Sequence, residues 1–226
     1  KIIMVNNKLI GLYGGAFDPV HKAHISIAQN CVKKIGLEKI IFVPTGYSPT
    51  SKILSAYHHR LEMLKIICKE NYFEYSDFEI KEYLNKKKIS YTVDTLKHFK
   101  KNSDSTLLFI LGTDAFSTIY SWHKWNEILN YCHLLLIERD EKDSSIKKMS
   151  PEVQEFFKAN ITNNINSLKK NKYGKIYLIS MPILDESSSK IRDRSMQNLN
   201  IKDLLPKTIN DYIIQNHLYK SPGHNK

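Results

Sequence analysis

The sequence lacks any long apolar run. None of its hydrophobic stretches approaches the roughly 18 residues that a membrane-spanning helix requires, so we expect no transmembrane segment and no membrane partner. Residues 1–10 hold too short an apolar stretch for a secretory signal peptide and lack a small-residue cleavage site. Because position 1 is Lys rather than Met, a native N-terminal extension can be missing from the sequence.

Cysteine is also scarce. The 226 residues include only Cys31, Cys68 and Cys132, which are odd in number and widely spaced. They form no CxxC pair and no Cys–His ligand spacing, which disfavours a disulfide framework and a zinc site. All three lie in apolar stretches, where buried free thiols are usual. We therefore expect a reducing compartment, the cytoplasm, and no dedicated metal site.

Acidic residues are outnumbered by basic ones. The chain has 34 Lys and Arg against 23 Asp and Glu, a net charge of +11. This surplus suits a nucleic acid, an anionic membrane surface or a small phosphorylated substrate, and does not choose among them. With 42% hydrophobic and 25% charged residues, the composition is that of an ordinary globular protein. The length favours a single domain over residues 1–226.

Apolar runs alternate with amphipathic stretches along the chain. We predict strands at residues 8–13, 39–43, 106–111, 133–137 and 176–180. Strands that alternate with helices predict an α/β fold, a Rossmann-like open parallel sheet with helices on both faces. Residues 140–175 break this rhythm because they are rich in Lys, Asn and Ser. They resemble a polar insertion with one amphipathic piece at 151–157.

The first candidate site follows the first predicted strand, where residues 14–24 are GGAFDPVHKAH. Two glycines at a strand end let the backbone approach a ligand closely, and the next helix N-terminus offers a phosphate seat. His21 and His24 are three residues apart, so both rings can face one spot and stabilise charge in phosphoryl transfer. An isolated pair of this kind usually consists of surface histidines, but its place after a buried strand favours the phosphate site. The segment matches neither G-x-G-x-x-G nor the P-loop.

The second candidate site is the segment 186–192, with the sequence ESSSKIR, between a strand and a helix. Hydroxyl groups at a helix start serve as N-caps and also as phosphate ligands. Arg192, one turn into the helix, can offer a bidentate guanidinium to a phosphate. Alone, this motif is mostly capping; together with the first motif it favours a polyphosphate site.

These motifs resemble the nicotinate mononucleotide adenylyltransferase family of the HxGH nucleotidyltransferase superfamily. The segment 14–24 is similar to the family's GGxFDPxHxxH signature, and 90–96, SYTVDTL, resembles its SYTxDTL segment. Residues 111–114, followed by Trp122, resemble a GxD…W stretch, and 187–192 are similar to SSTxIR. The closing segment 211–219 resembles the family's YI…LY end. The resemblance spans about residues 8–219 and covers 140–175 poorly.

The resemblance implies a nucleotidyltransferase-type fold and adenylyl transfer from ATP to nicotinate mononucleotide, with Mg²⁺ carried by ATP and with no nucleic acid partner. It implies catalytic roles for His21, His24 and Arg192. The residues that it assigns to ATP binding are Gly14, Gly15, Ala16, Phe17, His21, His24, Gly112, Asp114, Ser188, Ser189 and Arg192. Those that it assigns to the mononucleotide are Gly15, Ala16, Lys52, Thr92, Asp94, Thr95 and Trp122. The loop around Lys52 departs from the family's usual PPHK pattern.

Several of these side chains have a second interpretation. Asp18 either orients the loop or contacts substrate directly, and Arg60 either binds a phosphate or pairs with Glu62 or Asp77. Asp94 and Asp114 each either contact a nucleotide or cap a helix; for Asp114 the contact is with adenosine ribose or magnesium. Trp122 either stacks on the pyridine ring or packs in the core beside Trp125. Aromatic side chains are suited to both roles.

Other functions remain open at this point. Nicotinamide mononucleotide, phosphopantetheine and glycerol phosphate enzymes share both phosphate motifs, and a dual-specificity enzyme is a further alternative. A non-catalytic nucleotide- or RNA-binding module would bind without turnover and would weaken steeply with salt. The Lys148-Met149-Ser150 segment resembles part of the KMSKS signature of aminoacyl-tRNA synthetases, but it lies in the predicted insertion. The sequence does not indicate an oligomeric state.

Overall fold

The protein is built around one six-stranded sheet. The computed structural model describes residues 8–47, 54–138, 145–182 and 186–220. The strands are β1 (Leu9–Gly15), β2 (Lys39–Pro44), β3 (Glu74–Tyr75), β4 (Thr106–Gly112), β5 (His133–Glu138) and β6 (Ile176–Ser180). Every neighbouring pair is parallel, in the order β3-β2-β1-β4-β5-β6. This confirms the predicted open parallel sheet and adds the two-residue β3.

Helices connect the strands. In chain order the α-helices within the described ranges are α1 (Lys22–Cys31), α2 (Tyr57–Asn71), α3 (Phe78–Lys86), α4 (Thr92–Lys101), α5 (Thr113–Phe116), α6 (Pro151–Asn160), α7 (Ile165–Lys170), α8 (Ser188–Met196) and α9 (Lys207–Gln215). A π-helical turn at Val32–Gly36 extends α1, and 3₁₀ turns at Ile119–Ser121 and Trp125–Asn130 follow α5. Short 3₁₀ turns and the single turn of α5 therefore make up most of the connection between β4 and β5.

The helices cover both faces of the sheet. One face packs against α1, α2, α8 and α9 through buried apolar side chains, among them Ala28, Leu64, Ile191 and Ile213. The other packs against α4, α5 and α6, through Leu96, Phe116, Val153 and Phe157. With both faces covered, a central strand is buried along its whole length, and in β5 the run 134–137 is continuously apolar rather than alternating. This is why continuous apolar runs predicted the strands.

The described part of the predicted insertion, residues 145–175, forms the connection between β5 and β6. It contains a 3₁₀ turn at Ser145–Lys148 followed by α6 and α7. Ile146, Met149 and Val153 are buried in the core, although the segment is polar in composition. Its sparse apolar residues fall at helical spacing and face the sheet. The segment is therefore part of the packed fold.

The structure bears on the expectations about the cysteines and about membrane-spanning helices. All three cysteines are free and buried, as predicted, and burial raises the pKa of each thiol. A thiol with a raised pKa is inert because the reactive thiolate is rare. Within the described ranges, no helix combines the length and the apolarity needed to cross a membrane.

Candidate active site

A cavity of about 640 Å³ opens at the carboxyl ends of the central strands. Chain order reverses between β1 and β4, and open α/β sheets place ligands at such a point. The volume lies within the ~300–1,000 Å³ of small-molecule sites. The cavity is lined by Tyr13, His21, Ala23, His24, Ile27, Leu111, Gly112, Thr113, Asp114, Ser117, Ile137, Lys148, Met149, Glu186, Ser187 and Ser188.

The two histidines of the first motif lie together at the start of α1. His21 is the N-cap residue, and its backbone N–H donates to Nδ1 of His24 over 3.3 Å. The ring centroids are 3.8 Å apart. Because Nδ1 of His24 accepts a hydrogen bond, the proton of a neutral ring resides on Nε2. The prediction that both rings face one spot is confirmed.

His24 is neutral at physiological pH. Burial lowers the pKa of His24 well below its usual value, and the neighbouring His21 lowers it further. The rings of Phe17 and Tyr13 meet His24 edge-on, with centroids 5.0 and 5.9 Å away, and account for much of that burial. A neutral imidazole with its proton on Nε2 can donate one hydrogen bond to a phosphate oxygen.

The glycine turn after β1 is shaped by Phe17. This residue adopts φ 50° and is buried, with its ring against the α-carbon of Gly15. A β-carbon on Gly15 would stand 3.0 Å from that ring, so a larger residue would displace it. The described lining of the cavity does not include Gly14, Gly15, Ala16 or Phe17. They lie at the carboxyl end of β1 and directly after it, beside the cavity. The Phe17 ring packs on His24.

Asp18 is fully buried and orients the loop. Its Oδ2 accepts from the backbone N–H of Ser55 over 2.9 Å, and its Oδ1 accepts from the Tyr219 hydroxyl over 2.7 Å. Burial and the Asp18 carboxylate raise the pKa of Tyr219. Both oxygens of Asp18 are thus engaged within the protein, which favours the orienting interpretation over direct substrate contact.

The second motif is hydrogen-bonded to the first. Ser188 Oγ donates to the carbonyl oxygen of Pro19 over 2.9 Å, and Arg192 Nη1 donates to that of Asp18 over 2.7 Å. Arg192 Nη2 also lies 3.5 Å from Ser189 Oγ. Ser188 lines the cavity, whereas Ser189 and Arg192 are not among its described lining residues. The two motifs therefore share one site, with Arg192 joining them at its edge.

Gly112 and Asp114 lie at the carboxyl end of β4, as predicted. Gly112 is the N-cap residue of α5, and both residues line the cavity. A β-carbon on Gly112 would overlap Oδ1 of Asp114, so a larger residue there would shift this carboxylate. Asp114 is exposed to the cavity in the first turn of its helix. Its position is compatible with both helix capping and ligand contact.

The residues assigned to the mononucleotide surround the start of α4. Asp94 Oδ2 lies 3.5 Å from the backbone nitrogen of Tyr91 and 3.8 Å from Nζ of Lys88, so it also acts as a helix cap. Thr95 is buried, and its hydroxyl donates to Oε1 of Glu79 over 2.6 Å. Thr92 is the first residue of α4. Thr92, Asp94 and Thr95 do not line the cavity described above.

Glu79 was not predicted from the sequence. Burial raises the pKa of this carboxyl group to about 7, while the Thr95 hydroxyl, the Gly46 backbone and Arg60 oppose the rise. A β-carbon on Gly46 would overlap the carbonyl oxygen of Glu79, so glycine is required where the loop after β2 meets α3. Glu79 thereby joins that loop to α4.

Trp122 is partly buried against the sheet. Its ring meets Phe109 of β4 edge-on, with centroids 6.4 Å apart. Trp125 instead packs edge-on against Phe156 of α6, at 5.1 Å. The two tryptophans thus have different neighbours, and packing accounts for only part of the Trp122 surface. Lys52 lies outside the described residues.

Arg60 does not form the ion pair with Glu62 or Asp77 that the sequence offered as one alternative. It is buried and donates to the carbonyl oxygens of Ala16 (3.0 Å), Thr45 (2.8 Å) and Ser55 (3.2 Å). Its two predicted partners pair with lysines instead, Glu62 with Lys65 and Asp77 with Lys81. A guanidinium group has five donors in a planar fork, which suits it to join separate loops. Arg60 therefore fixes the loops after β1 and β2 to each other.

The cavity also includes residues that sequence reasoning missed or set aside. Lys148 and Met149 line it because the connection after β5 returns to the carboxyl edge of the sheet. The polar composition of their segment had argued against a role in the site, but the path of the chain brings both residues to the cavity. Glu186, directly before the serines, also lines the cavity. The second motif, 186–192, included Glu186 without a role of its own, whereas no local pattern pointed to Lys148 or Met149.

Comparison with known proteins identifies relatives along nearly the whole chain. The profile of the family described as cytidylyltransferase-like matches residues 12–194. A protein of Buchnera aphidicola subsp. Acyrthosiphon pisum (strain 5A), named probable nicotinate-nucleotide adenylyltransferase, is 36% identical over 94% of this chain and 97% of its own. A protein with the same name from Clostridium botulinum (strain Kyoto / Type A2) is 38% identical over 96% of this chain and 100% of its own.

A solved structure shares the fold. It is Plasmodium falciparum nicotinic acid mononucleotide adenylyltransferase complexed with NaAD, with a TM-score of 0.71 and 25% sequence identity. The match covers 94% of this chain and 97% of that chain. The parallel sheet, its strand order and the helices around it are therefore those of a known nucleotidyltransferase.

Proposed function

This chain belongs to the cytidylyltransferase-like family, and we propose that it transfers the adenylyl group of ATP to nicotinate mononucleotide, a step of NAD biosynthesis. The observation that carries the proposal is the meeting of His21, His24 and the serine-rich start of α8 at one cavity. The names of the full-length relatives support the same reaction and acceptor. The products are deamido-NAD and pyrophosphate.

The chemical step is a phosphoryl-type displacement. A 5′-phosphate oxygen of the mononucleotide forms a bond to the α-phosphorus of ATP, and the bond between that phosphorus and the α–β bridging oxygen breaks. Pyrophosphate leaves with the electron pair. The attacking phosphate is already an anion, so no protein base is required, and catalysis consists of positioning and charge stabilisation.

The paired histidines supply the charge stabilisation. The neutral His24 ring donates through Nε2 to the phosphate oxygens on which negative charge develops. His21 lies 3.8 Å away and contributes a second imidazole. Both stand at the N-terminus of α1, where the helix dipole favours anions. Preorganised donors of this kind gain strength in a partly buried site.

The remaining ATP contacts come from three elements. Ser188, Ser189 and Arg192 of α8 hold the distal phosphates, Ser188 from the cavity wall and the other two from its edge. Gly112 and Asp114 at the end of β4 hold the adenosine side. Backbone N–H groups at the end of β1 and in the turn that follows it contact the nucleotide. The residues that supply them are Gly14, Gly15, Ala16 and Phe17.

The mononucleotide binds towards the start of α4. The Trp122 indole stacks on the pyridine ring, and the Thr92 hydroxyl and nearby backbone N–H groups donate hydrogen bonds to the carboxylate. Thr95 and Asp94 act chiefly by positioning, since the Thr95 hydroxyl is engaged by Glu79 and Asp94 caps α4. Gly15, Ala16 and Lys52 complete the predicted set, with Lys52 directed to the phosphate.

Magnesium fits the carboxylates of the cavity. Among the described residues, no group of three or more His, Cys, Asp and Glu side chains could hold a metal by itself. Mg²⁺ commonly binds through substrate phosphates with only one or two protein carboxylates. Asp114 and Glu186 are the acidic side chains in the described lining, and Glu186 Oε2 is a buried oxygen without a hydrogen-bond partner there. The ion would neutralise triphosphate charge when bound.

The test is pyrophosphate release with ATP and Mg²⁺, with nicotinate and nicotinamide mononucleotides compared side by side. We expect release with the acid at a much higher kcat/KM than with the amide. Comparable rates would replace the proposal with a dual-specificity enzyme. Nucleic acid binding that weakens steeply with salt, in the absence of any release, would support a binding module instead.

A further inference from the structure

Glu186 is an acidic side chain placed among groups that attract anions. It lines the cavity between the N-termini of α1 and α8, immediately before the serine-rich segment. It is not needed as the N-cap of α8, because Ser187 Oγ already accepts from the backbone N–H of Lys190 over 3.2 Å. A carboxylate in a polyphosphate site repels its ligand unless a cation lies between them.

Among the described residues, one oxygen of Glu186 has no hydrogen-bond partner. Oε2 is buried, and within the described ranges, which omit residues 183–185, it has no hydrogen bond. A buried carboxylate oxygen without a partner is costly and calls for an explanation such as a missing ion. The Ala23 N–H and the charges of Lys22 and Lys190 favour the ionised form of Glu186, whereas burial disfavours it and raises its pKa.

We propose that Glu186 ligates the Mg²⁺ that accompanies the ATP triphosphate. The inference rests on the proposed function, since it requires ATP in this cavity. Mg²⁺ prefers oxygen ligands, keeps several waters and commonly takes one or two carboxylates beside substrate phosphates. A cation between Glu186 and the phosphates gives Oε2 its partner and removes the repulsion between the two anions.

If the Glu186 carboxylate instead competed with ATP, it would change the affinity for ATP in the opposite direction. Near the Ala23 N–H, Glu186 could occupy part of the phosphate seat and compete with ATP. As a metal ligand, it should strengthen ATP binding only when Mg²⁺ is present. As a competitor, it should weaken ATP binding whether or not Mg²⁺ is present. The dependence of ATP affinity on Mg²⁺ therefore separates the two roles.

The experiment titrates the full chain with a non-hydrolysable ATP analogue by calorimetry, over a series of free Mg²⁺ concentrations and in EDTA, without mononucleotide. For wild type, affinity should rise with Mg²⁺. For Glu186→Gln, the Mg²⁺ concentration at half-maximal affinity should increase about tenfold or more, as for other lost metal contacts. In EDTA the variant should bind as tightly as wild type or more tightly. Glu186→Asp should recover part of the Mg²⁺ response.

Asp193→Asn is the matched control. Asp193 lies exposed on α8, the helix that follows Glu186, and outside the described cavity lining, and its variant loses the same charge. It should retain the wild-type Mg²⁺ response, and all variants should match wild type in melting temperature without ligand. Tighter binding by Glu186→Gln to the same degree with and without Mg²⁺, or an unchanged Mg²⁺ response, would overturn the proposal. Failure of wild type itself to bind the analogue would instead overturn the proposed function.

Discussion

Arg192 Nη1 donates a 2.7 Å hydrogen bond to the backbone carbonyl of Asp18, 174 residues earlier in the chain. The Asp18 carboxylate in turn binds Ser55 and Tyr219. One guanidinium thus connects the histidine-bearing loop to α8, and a buried carboxylate connects that loop to two further segments. The groups proposed to bind phosphate owe their relative positions to these contacts rather than to proximity in sequence.

We expect Arg192→Ala to lower both stability and ATP affinity. Loss of the hydrogen bond to Asp18 should cost about 1–2 kcal/mol in the free energy of unfolding, measured with urea. ATP affinity should fall as well, and Arg192→Lys should not restore it, because Lys lacks the planar fork that reaches Asp18 and Ser189 together. Arg194→Ala is the control: its guanidinium bonds only to the Asn200 carbonyl among the described contacts. It should lose stability without a specific loss of ATP affinity.

His24→Ala should be nearly inactive and folded. Removal of a preorganised donor costs about 2–4 kcal/mol of transition-state stabilisation, which predicts a 30- to 1,000-fold fall in kcat. His24→Gln should retain more activity than His24→Asn, because its amide reaches the position of Nε2, the proposed donor. Steady-state kinetics and melting temperatures measure both effects. An unchanged kcat in a stable His24→Ala protein would remove this residue from the mechanism.

The longer strands were predictable because burial on both faces gives each a short run of consecutive apolar residues, such as 134–137 in β5. The two-residue β3 is too short for such a signal, since its residues Glu74 and Tyr75 are exposed. The connection 145–175 was misleading for another reason. Few of its residues reach the core, among them Ile146 and Val153, and they are diluted by Lys and Asn.

The site was predictable where a short local motif carries the chemistry. The spacing of His21 and His24 at a helix start was enough to predict their meeting. Arg60 and Glu79 form their contacts only through the tertiary fold, and the sequence around them contains no sign of it. A helix surface rich in charge does not show which charged side chain faces inwards.

Trp122→Ala should weaken binding of the mononucleotide and spare ATP. Its indole is only partly engaged by Phe109, which leaves a face for the pyridine ring. The KM for nicotinate mononucleotide should rise, whereas Trp122→Phe should retain part of the stacking. Trp125→Ala should lower stability without selecting between substrates, since Trp125 packs on Phe156. Equal weakening of both substrates by Trp122→Ala would indicate a packing role.

Glu79 should make stability depend on pH. Burial raises its pKa from 4.5 to about 7, so the folded protein holds this proton more tightly than the unfolded chain does. The resulting stabilisation is complete below 4.5 and is lost as pH rises through about 7. Urea unfolding at about pH 5 and about pH 8 measures this change. Between the two, the free energy of unfolding of wild type should fall by about 1–3 kcal/mol relative to that of Glu79→Gln. The exposed Glu155→Gln should retain the wild-type profile. Parallel profiles for wild type and Glu79→Gln would assign the titration to another group.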